Sequence, residues 1–269
     1  MTVSAAAPPA PVQRVGRRRA RKLILNLAYV AAILISWEVL VRALNIGKLL
    51  LPPPSAVAGQ AAKFAGLLAS SSAVTLTEAA VGFLFAVVVG IGLALLITYS
   101  TGIGSVIMTT LVGINATPKV AVAPILVIWL GLGIESKIAL AFLLAFFPIV
   151  VNSVRGFADV PVDLLNLYRL IHATPLQVFR KVRLPSALPS IFDGFKIALP
   201  VSLIGAVAGE FVAARQGVGY QIVLAYANFN SALVFASVIT IAVLATILFQ
   251  ILVVVEDRVL FWRPSKQRF

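Results

Sequence analysis

Residues 158–200 read ADVPVDLLNLYRLIHATPLQVFRKVRLPSALPSIFDGFKIALP, the one hydrophilic stretch long enough to act as a device in a chain otherwise made of apolar runs. Within it, Thr174-Pro175-Leu176-Gln177 predicts a helix start. Thr174 is the N-cap, Pro175 takes the first helical position where its missing N–H is no loss, and Gln177 reaches back as the capping-box partner. The turn that follows is amphipathic. Leu176, Phe179 and Val182 fall three apart on one face, with Arg180, Lys181 and Arg183 on the other, and Pro185 and Pro189 are expected to stop the helix and redirect the chain. A first short helix, Pro161 to about Ile171, precedes it, so the stretch should form a two-helix knob that a soluble partner can grip.

The chain around this knob is membrane protein. It is 61% hydrophobic and 12% charged, where soluble domains have about 45–50% and about 25%. The net charge of +13 does not point to nucleic acid, because the basic residues cluster in short segments between apolar runs. With no cysteine and one histidine there is no disulfide, thiol nucleophile or zinc centre to consider, and no metal or cofactor is expected. No Ser/His/Asp arrangement, useful carboxylate pair or GxxxxGK[ST] phosphate loop is present, so no catalytic residue is assigned and the chain is not expected to hydrolyse ATP itself.

In chain order, residues 1–22 are Ala/Pro-rich and then basic, and are expected to be a disordered cytoplasmic tail. Residues 23–44 form a first span: Leu23 to Val41 is longer than a typical signal-peptide core, and no cleavage site follows. Residues 45–73 are an extracytoplasmic interfacial linker in which Ala56 to Leu68 should lie on the membrane as a short helix. The core, 74–257, carries a second span at Ala79–Ile97 with Gly82, Gly90 and Gly92 for close helix contact, and a tight turn at Ser100-Thr101-Gly102. A kinked or tilted third span follows over Ile103–Leu132, a fourth at Ile138–Val154, a fifth at Ile197–Ala214 and a sixth at Leu233–Val255. The loop 156–188 lies between the fourth and fifth, and 258–269 is a basic cytoplasmic tail. Gly102-x-Gly104 and Gly217-x-Gly219 read as turns.

Charge fixes the expected orientation, since Lys and Arg are retained on the cytoplasmic side. Of 22 such residues, six lie in the N-terminal tail, six in or beside the knob (Arg155, Arg169, Arg180, Lys181, Arg183, Lys196) and four in the C-terminal tail. Only Arg42, Lys48, Lys63, Lys119, Lys137 and Arg215 remain, so six spans with both termini and the knob inside are expected.

Polar residues inside apolar runs need a reason, because a charge at mid-bilayer costs about 2.5–3.5 kcal/mol on insertion scales. Lys119 follows Asn115-Ala116-Thr117-Pro118, where the proline frees a carbonyl and bends the helix. It either lines a cavity, where it would suit an anionic substrate, or snorkels or caps a broken helix. Glu210 either gates the path or docks a partner, with a local pair to Arg215 the favoured reading. His172 is expected to be a satisfied or solvent-facing histidine rather than a pH sensor.

Residues 172–189, HATPLQVFRKVRLPSALP, resemble the "EAA loop" of permease subunits of binding-protein-dependent ABC importers, whose pattern runs Glu-Ala-Ala, three residues, Gly, nine residues, hydrophobic-x-Leu-Pro. Leu184-Pro185 fits that end. Asn166, Leu167 and Tyr168 stand where Glu-Ala-Ala is expected, and His172 stands where the family has Gly. Pro118 to Gly131 resembles the third-span motif of the nitrate/sulfonate/taurine branch, and Leu51-Pro52-Pro53-Pro54 its Leu-Pro-x-Pro entry. The resemblance covers roughly Leu51 to Pro264. It implies an all-α polytopic fold in the bacterial inner membrane, with a type I importer permease core. It also implies a second permease copy (a homodimer first, a heterodimer as the alternative), two cytoplasmic ATP-binding subunits and an extracytoplasmic substrate-binding protein. Asn166, Arg169, His172, Ala173, Thr174, Pro175, Leu176, Gln177, Phe179, Arg180, Lys181, Leu184 and Pro185 then form the coupling surface, with Asn115, Pro118, Lys119 and Glu210 as path candidates for a small anionic solute such as sulfonate, taurine or nitrate. The rival is an ion-coupled secondary transporter.

Overall fold

The computed structural model describes residues 13–262 other than 48 and 101, with side chains described at Leu25 and from residue 28 onward. Among these residues all regular structure is helical. The first helix, α1 (Gln13–Ala43), is already helical ten residues ahead of the expected first span. Residues 1–12 and 263–269, which hold most of the two expected tails, lie outside the described residues.

The interfacial linker is more structured than its composition implies. A short helix α2 (Pro54–Lys63) breaks at Phe64 and continues as α3 (Ala65–Tyr99), which starts fourteen residues before the expected second span. Ser70, Ser71, Ser72, Thr75, Thr77 and Glu78 dilute the hydropathy there, yet several hydroxyls turn back onto the helix's own carbonyls. Ser72 Oγ donates to the Leu68 carbonyl at 2.6 Å and Thr77 Oγ1 to Ala73 at 2.8 Å. At 35 residues and about 1.5 Å per residue, α3 outreaches a hydrocarbon layer of about 30 Å. Rather than lying free on the membrane, α2 buries Val57 against Ala225, Leu233 and Ala236. Its cap comes from another helix: Glu38 of α1 accepts from the Ser55 amide at 3.0 Å and hydroxyl at 2.8 Å.

The third span is broken outright. α4 (Ile103–Asn115) ends before Ala116-Thr117-Pro118, and a 3₁₀ turn (Lys119–Val122) leads into α5 (Ala123–Leu130) at 82° to α4. Pro118 has no N–H, clashes with the carbonyl four residues back and bars Thr117 from helical geometry, so the helix turns instead of kinking.

The core is a bundle of three long helices: α3, α6 (Ile134–Ala158) and α9 (Leu184–Ala213). They approach closely because small residues face each other. A Cβ on Gly82 would lie 2.6 Å from that of Ala141, and one on Gly205 would lie 2.7 Å from the Ala141 Cα. Gly90 packs on Ile149, whereas Gly92 faces open space and plays no part in this contact. Phe83, Phe192 and Phe195 fill the wider gaps in edge-on pairs with ring centroids 5.5–5.7 Å apart.

Pro185 and Pro189 do not stop the chain. The α8 turn (Pro175–Val178), a π-turn (Phe179–Arg183) and α9 run on as one 39-residue helix, Pro175–Ala213. The π-turn shifts the hydrogen-bond register just ahead of Pro185, whose absent N–H would otherwise interrupt the ladder. After α9 come α10 (Val218–Ala227), which the sequence does not announce, and α11 (Ser231–Val259), capped by Asn230 through its bond from the Leu233 amide. Four described helices are long and apolar enough to cross a membrane, and five if the bent pair is one crossing.

Candidate functional site

At one end of the bundle stands the knob. α7 (Val162–Leu170) closes with the Ala173 amide bonded to the Tyr168 carbonyl and the His172 amide to Arg169, each at 3.0 Å. This is a Schellman closure, and His172 sits at its left-handed position with φ +52°. That geometry gives a physical reason for the glycine the importer pattern has there. The capping box then starts the next turn as the sequence predicts: the Thr174 amide donates to Gln177 Oε1 at 2.9 Å, and the Gln177 amide to Thr174 Oγ1 at 3.4 Å.

The amphipathic face divides differently from the expectation. Leu176 is 63% exposed, but Phe179 leans on Phe157 with centroids 6.2 Å apart and Val182 is buried, so both are occupied within this chain. Arg183 stacks over Tyr99 at 4.9 Å from the ring centroid, tying the end of the π-turn to the end of α3. Asn166, Arg169, His172, Thr174, Pro175, Gln177, Arg180 and Lys181 are exposed, while Ala173, Leu184 and Pro185 are half-buried. Sequence reasoning passed over Leu170 and Ile171, which are exposed as Leu176 is. The run LNLYRLI carried that signal, since four apolar residues on a short exposed helix need cover.

At the other end of α9, three charged residues are buried together: Glu78 of α3, Lys137 of α6 and Glu210 of α9, each at most 3% exposed. Glu210 does not pair with Arg215. It accepts from Thr75 Oγ1 at 2.6 Å and from the Gly219 amide, and Thr75 Oγ1 in turn accepts from the Val218 amide at 2.9 Å. The pair fails because the segment Gly217-Val218-Gly219 folds back over Glu210. Gly217 has φ +108°, and a Cβ at Gly217 or Gly219 would fall on the Glu210 carboxylate. The Gly-x-Gly read as a turn is thus a cradle for a carboxylate. Arg215 is left exposed with no ion pair among the described residues.

Lys137 donates to three carbonyls, those of Leu132 (2.6 Å), Gly133 (2.8 Å) and Ala213 (2.6 Å), closing the ends of α5 and α9 together. Thr75, Glu78 and Lys137 escaped the sequence reading because Glu78 and Lys137 fall immediately before expected spans and looked interfacial. Lys119 resolves toward capping: its Nζ donates to the Asn115 carbonyl at 3.2 Å and to Asn115 Oδ1, at the end of α4. Asn115, Pro118 and Lys119 therefore form one group, and Glu210, bonded to Thr75 and Gly219, belongs to another. Lys196, counted with the knob, bonds Glu256 at 2.7 Å and Asp193 at 3.2 Å, which staples α9 to α11.

Residues 86–261 match the family described as "Binding-protein-dependent transport system inner membrane component". The chain belongs to this family. As such a permease it is a non-catalytic, multi-pass inner-membrane subunit of an ABC importer, working with an ATP-binding subunit and a substrate-binding protein. Among its relatives is a probable ABC transporter permease protein of Haemophilus influenzae, 34% identical over 85% of this chain and 93% of that one. A formylaminopyrimidine transport permease of Halalkalibacterium halodurans is 31% identical over 87% and 94%, and a taurine transport system permease of Escherichia coli K12 is 28% identical over 92% of each. The fold is that of the methionine transporter MetNI in an inward-facing crystal form. That match has a TM-score of 0.61 at 23% identity, covering 74% of this permease and 96% of that chain.

Proposed function

We propose that this permease is one half of a pair of identical copies enclosing a solute path, worked from the cytoplasm through the 158–183 knob. The observation that carries the proposal is the unbroken helix Pro175–Ala213, about 58 Å long, which runs from the exposed tip at Leu176 to the buried cluster at Glu210. A force applied at the tip reaches the far end along one continuous helix, through the π-turn and past Pro189 and Pro200. The exposed Leu170, Ile171 and Leu176 offer apolar area to an ATP-binding subunit, and Arg180 and Lys181 offer charge to its acidic groups. The capping box and the Schellman closure hold Asn166, Arg169 and His172 in fixed register beside them.

Six crossings result when α1 is the first and the bent pair α4–α5 the third, and both termini then share the knob's cytoplasmic side. The solute is a small anion. That reading rests on the likeness to sulfonate, taurine and nitrate permeases, since Lys119 is engaged in capping α4.

The test is co-purification with the ATP-binding subunit before and after Leu176→Asp. Phe179 is unsuitable because it supports Phe157 inside the permease. Loss of the ATP-binding subunit from a still monodisperse Leu176→Asp permease is the expected result. Solute uptake by the lone chain in liposomes under an ion gradient would instead establish the secondary-transporter reading.

A further inference from the structure

Away from the knob, α1 meets α2 and the start of α11 without filling the space between them. The gap is a cavity of about 590 Å³, walled by Leu34 and Trp37 of α1, Val57 and Ala58 of α2, and Ile239 and Val243 of α11. Leu34, Ile239 and Val243 are exposed, so the cavity is open along one side, next to the spanning helix α11. Ser55 and Thr240 also line it, but their hydroxyls are taken by Glu38 and by the Ala236 carbonyl. Such a gap offers water few partners, and an apolar cavity is filled by hydrocarbon in preference to water.

Two groups at the Ser55 end still lack a partner for their charge or their proton. The Trp37 ring packs on Phe235 with centroids 6.0 Å apart, yet its indole N–H is buried with no acceptor. A buried indole N–H normally finds one, and the carbonyls of the surrounding helices are engaged along their own ladders. Arg42 bonds Glu38 at 2.6 Å and Ser55 at 3.3 Å, and its side chain remains 68% exposed. The Trp37 and Arg42 backbones lie about 7.5 Å apart along α1, a distance that the few bonds between an ester carbonyl and the phosphate of a glycerolipid can bridge.

We propose that this cavity binds a phospholipid, with one acyl chain between α1, α2 and α11, an ester carbonyl accepting from Trp37 Nε1 and the phosphate resting on Arg42. The tail then lies toward Leu34 and Val243, and the headgroup at the Ser55 end. A spanning helix of a second copy could cover the same apolar walls, but its carbonyls are bonded within the helix and it would give the indole no acceptor. The lipid wedges α1 against the bundle, and it depends on neither the solute nor the ATP-binding subunit.

The experiment uses the full chain in detergent, without other subunits, and native mass spectrometry. Dioleoylphosphatidylglycerol is the probe, and dioleoylglycerol, which has the same tails and esters without the phosphate, is the control. One phospholipid per chain should be retained, and dioleoylglycerol more weakly. Ala58→Phe and Val243→Phe place a ring in the cavity from exposed positions and should each abolish retention in a permease that still elutes as a single peak. Trp37→Phe keeps an aromatic ring without the N–H and should weaken retention about fivefold. Arg42→Gln should weaken binding of the phospholipid and leave that of dioleoylglycerol unchanged. Bound detergent only, equal phospholipid retention in folded Ala58→Phe and Val243→Phe permeases, or a lipid-free dimer lost in those two variants would each overturn the proposal. The coupling reading is untouched by any of these results, because the Leu176→Asp test reads a different partner at the other end of the molecule.

Discussion

Glu210 provides the sharpest test of how the bundle is closed, because two partners compete for it. Sequence proximity favours Arg215, whereas the structure places Thr75 and the Gly219 amide on the carboxylate. Replacing Glu210 by Ala leaves the buried Gly219 amide without an acceptor and returns the Thr75 hydroxyl to the Ser71 carbonyl at 3.2 Å, so destabilisation of about 1–3 kcal/mol is expected. At roughly 2–4 °C per kcal/mol for a chain of this size, that lowers the midpoint of thermal unfolding by about 2–12 °C. Arg215→Ala removes an exposed side chain and should stay within about 0.5 kcal/mol of the parent. Two double-mutant cycles then separate the partners. Glu210 with Thr75→Val should show a coupling of about 1–3 kcal/mol, and Glu210 with Arg215→Ala less than about 0.5 kcal/mol. Detergent-solubilised permease followed by size-exclusion after heating supplies the midpoints. A Glu210–Arg215 coupling larger than the Glu210–Thr75 coupling would refute the cradle and restore the local ion pair.

His172→Gly should relieve a left-handed residue worth about 1–2 kcal/mol against about 0.4–1 kcal/mol of added chain entropy. Hydrogen exchange at the Ala173 amide should therefore slow by up to about fifteenfold, and His172→Val should speed it. Gly205→Leu drives a branched side chain into the Ala141 backbone and should abolish folded yield, whereas Gly92→Leu, facing open space, should leave yield unchanged. Lys137→Met removes the donor shared by three carbonyls. It should lower the thermal midpoint by several degrees, with Lys137→Arg restoring less than half because its planar fork does not match three converging acceptors. Tyr99→Leu should weaken the hold on Arg183 by about 0.5–1 kcal/mol, read as faster proteolysis at the knob, with Tyr99→Phe nearly silent.

Local chemistry was legible in the sequence wherever the partners are near neighbours. Thr174 and Gln177 sit three residues apart, so their capping box could be read off and is present. The same holds for the break at Pro118 and for the apolar runs of α6 and α11, although the 82° turn exceeds the expected kink because two helix ends are rebuilt there. The first helix of the knob was legible too: expected from Pro161 to about Ile171, it is present as α7 (Val162–Leu170).

What the tertiary structure alone decided is the pairing of distant polar groups. Thr75 meets Glu210 across 135 residues and the Val218 amide across 143, and Lys137 reaches the Ala213 carbonyl across 76. Hydropathy and local spacing carry no information about such distances, because they depend on how three close-packed helices align at one end. For the same reason Phe179 turned inward onto Phe157, and Arg215 was left facing a cavity once the Gly217–Gly219 segment had claimed its expected partner.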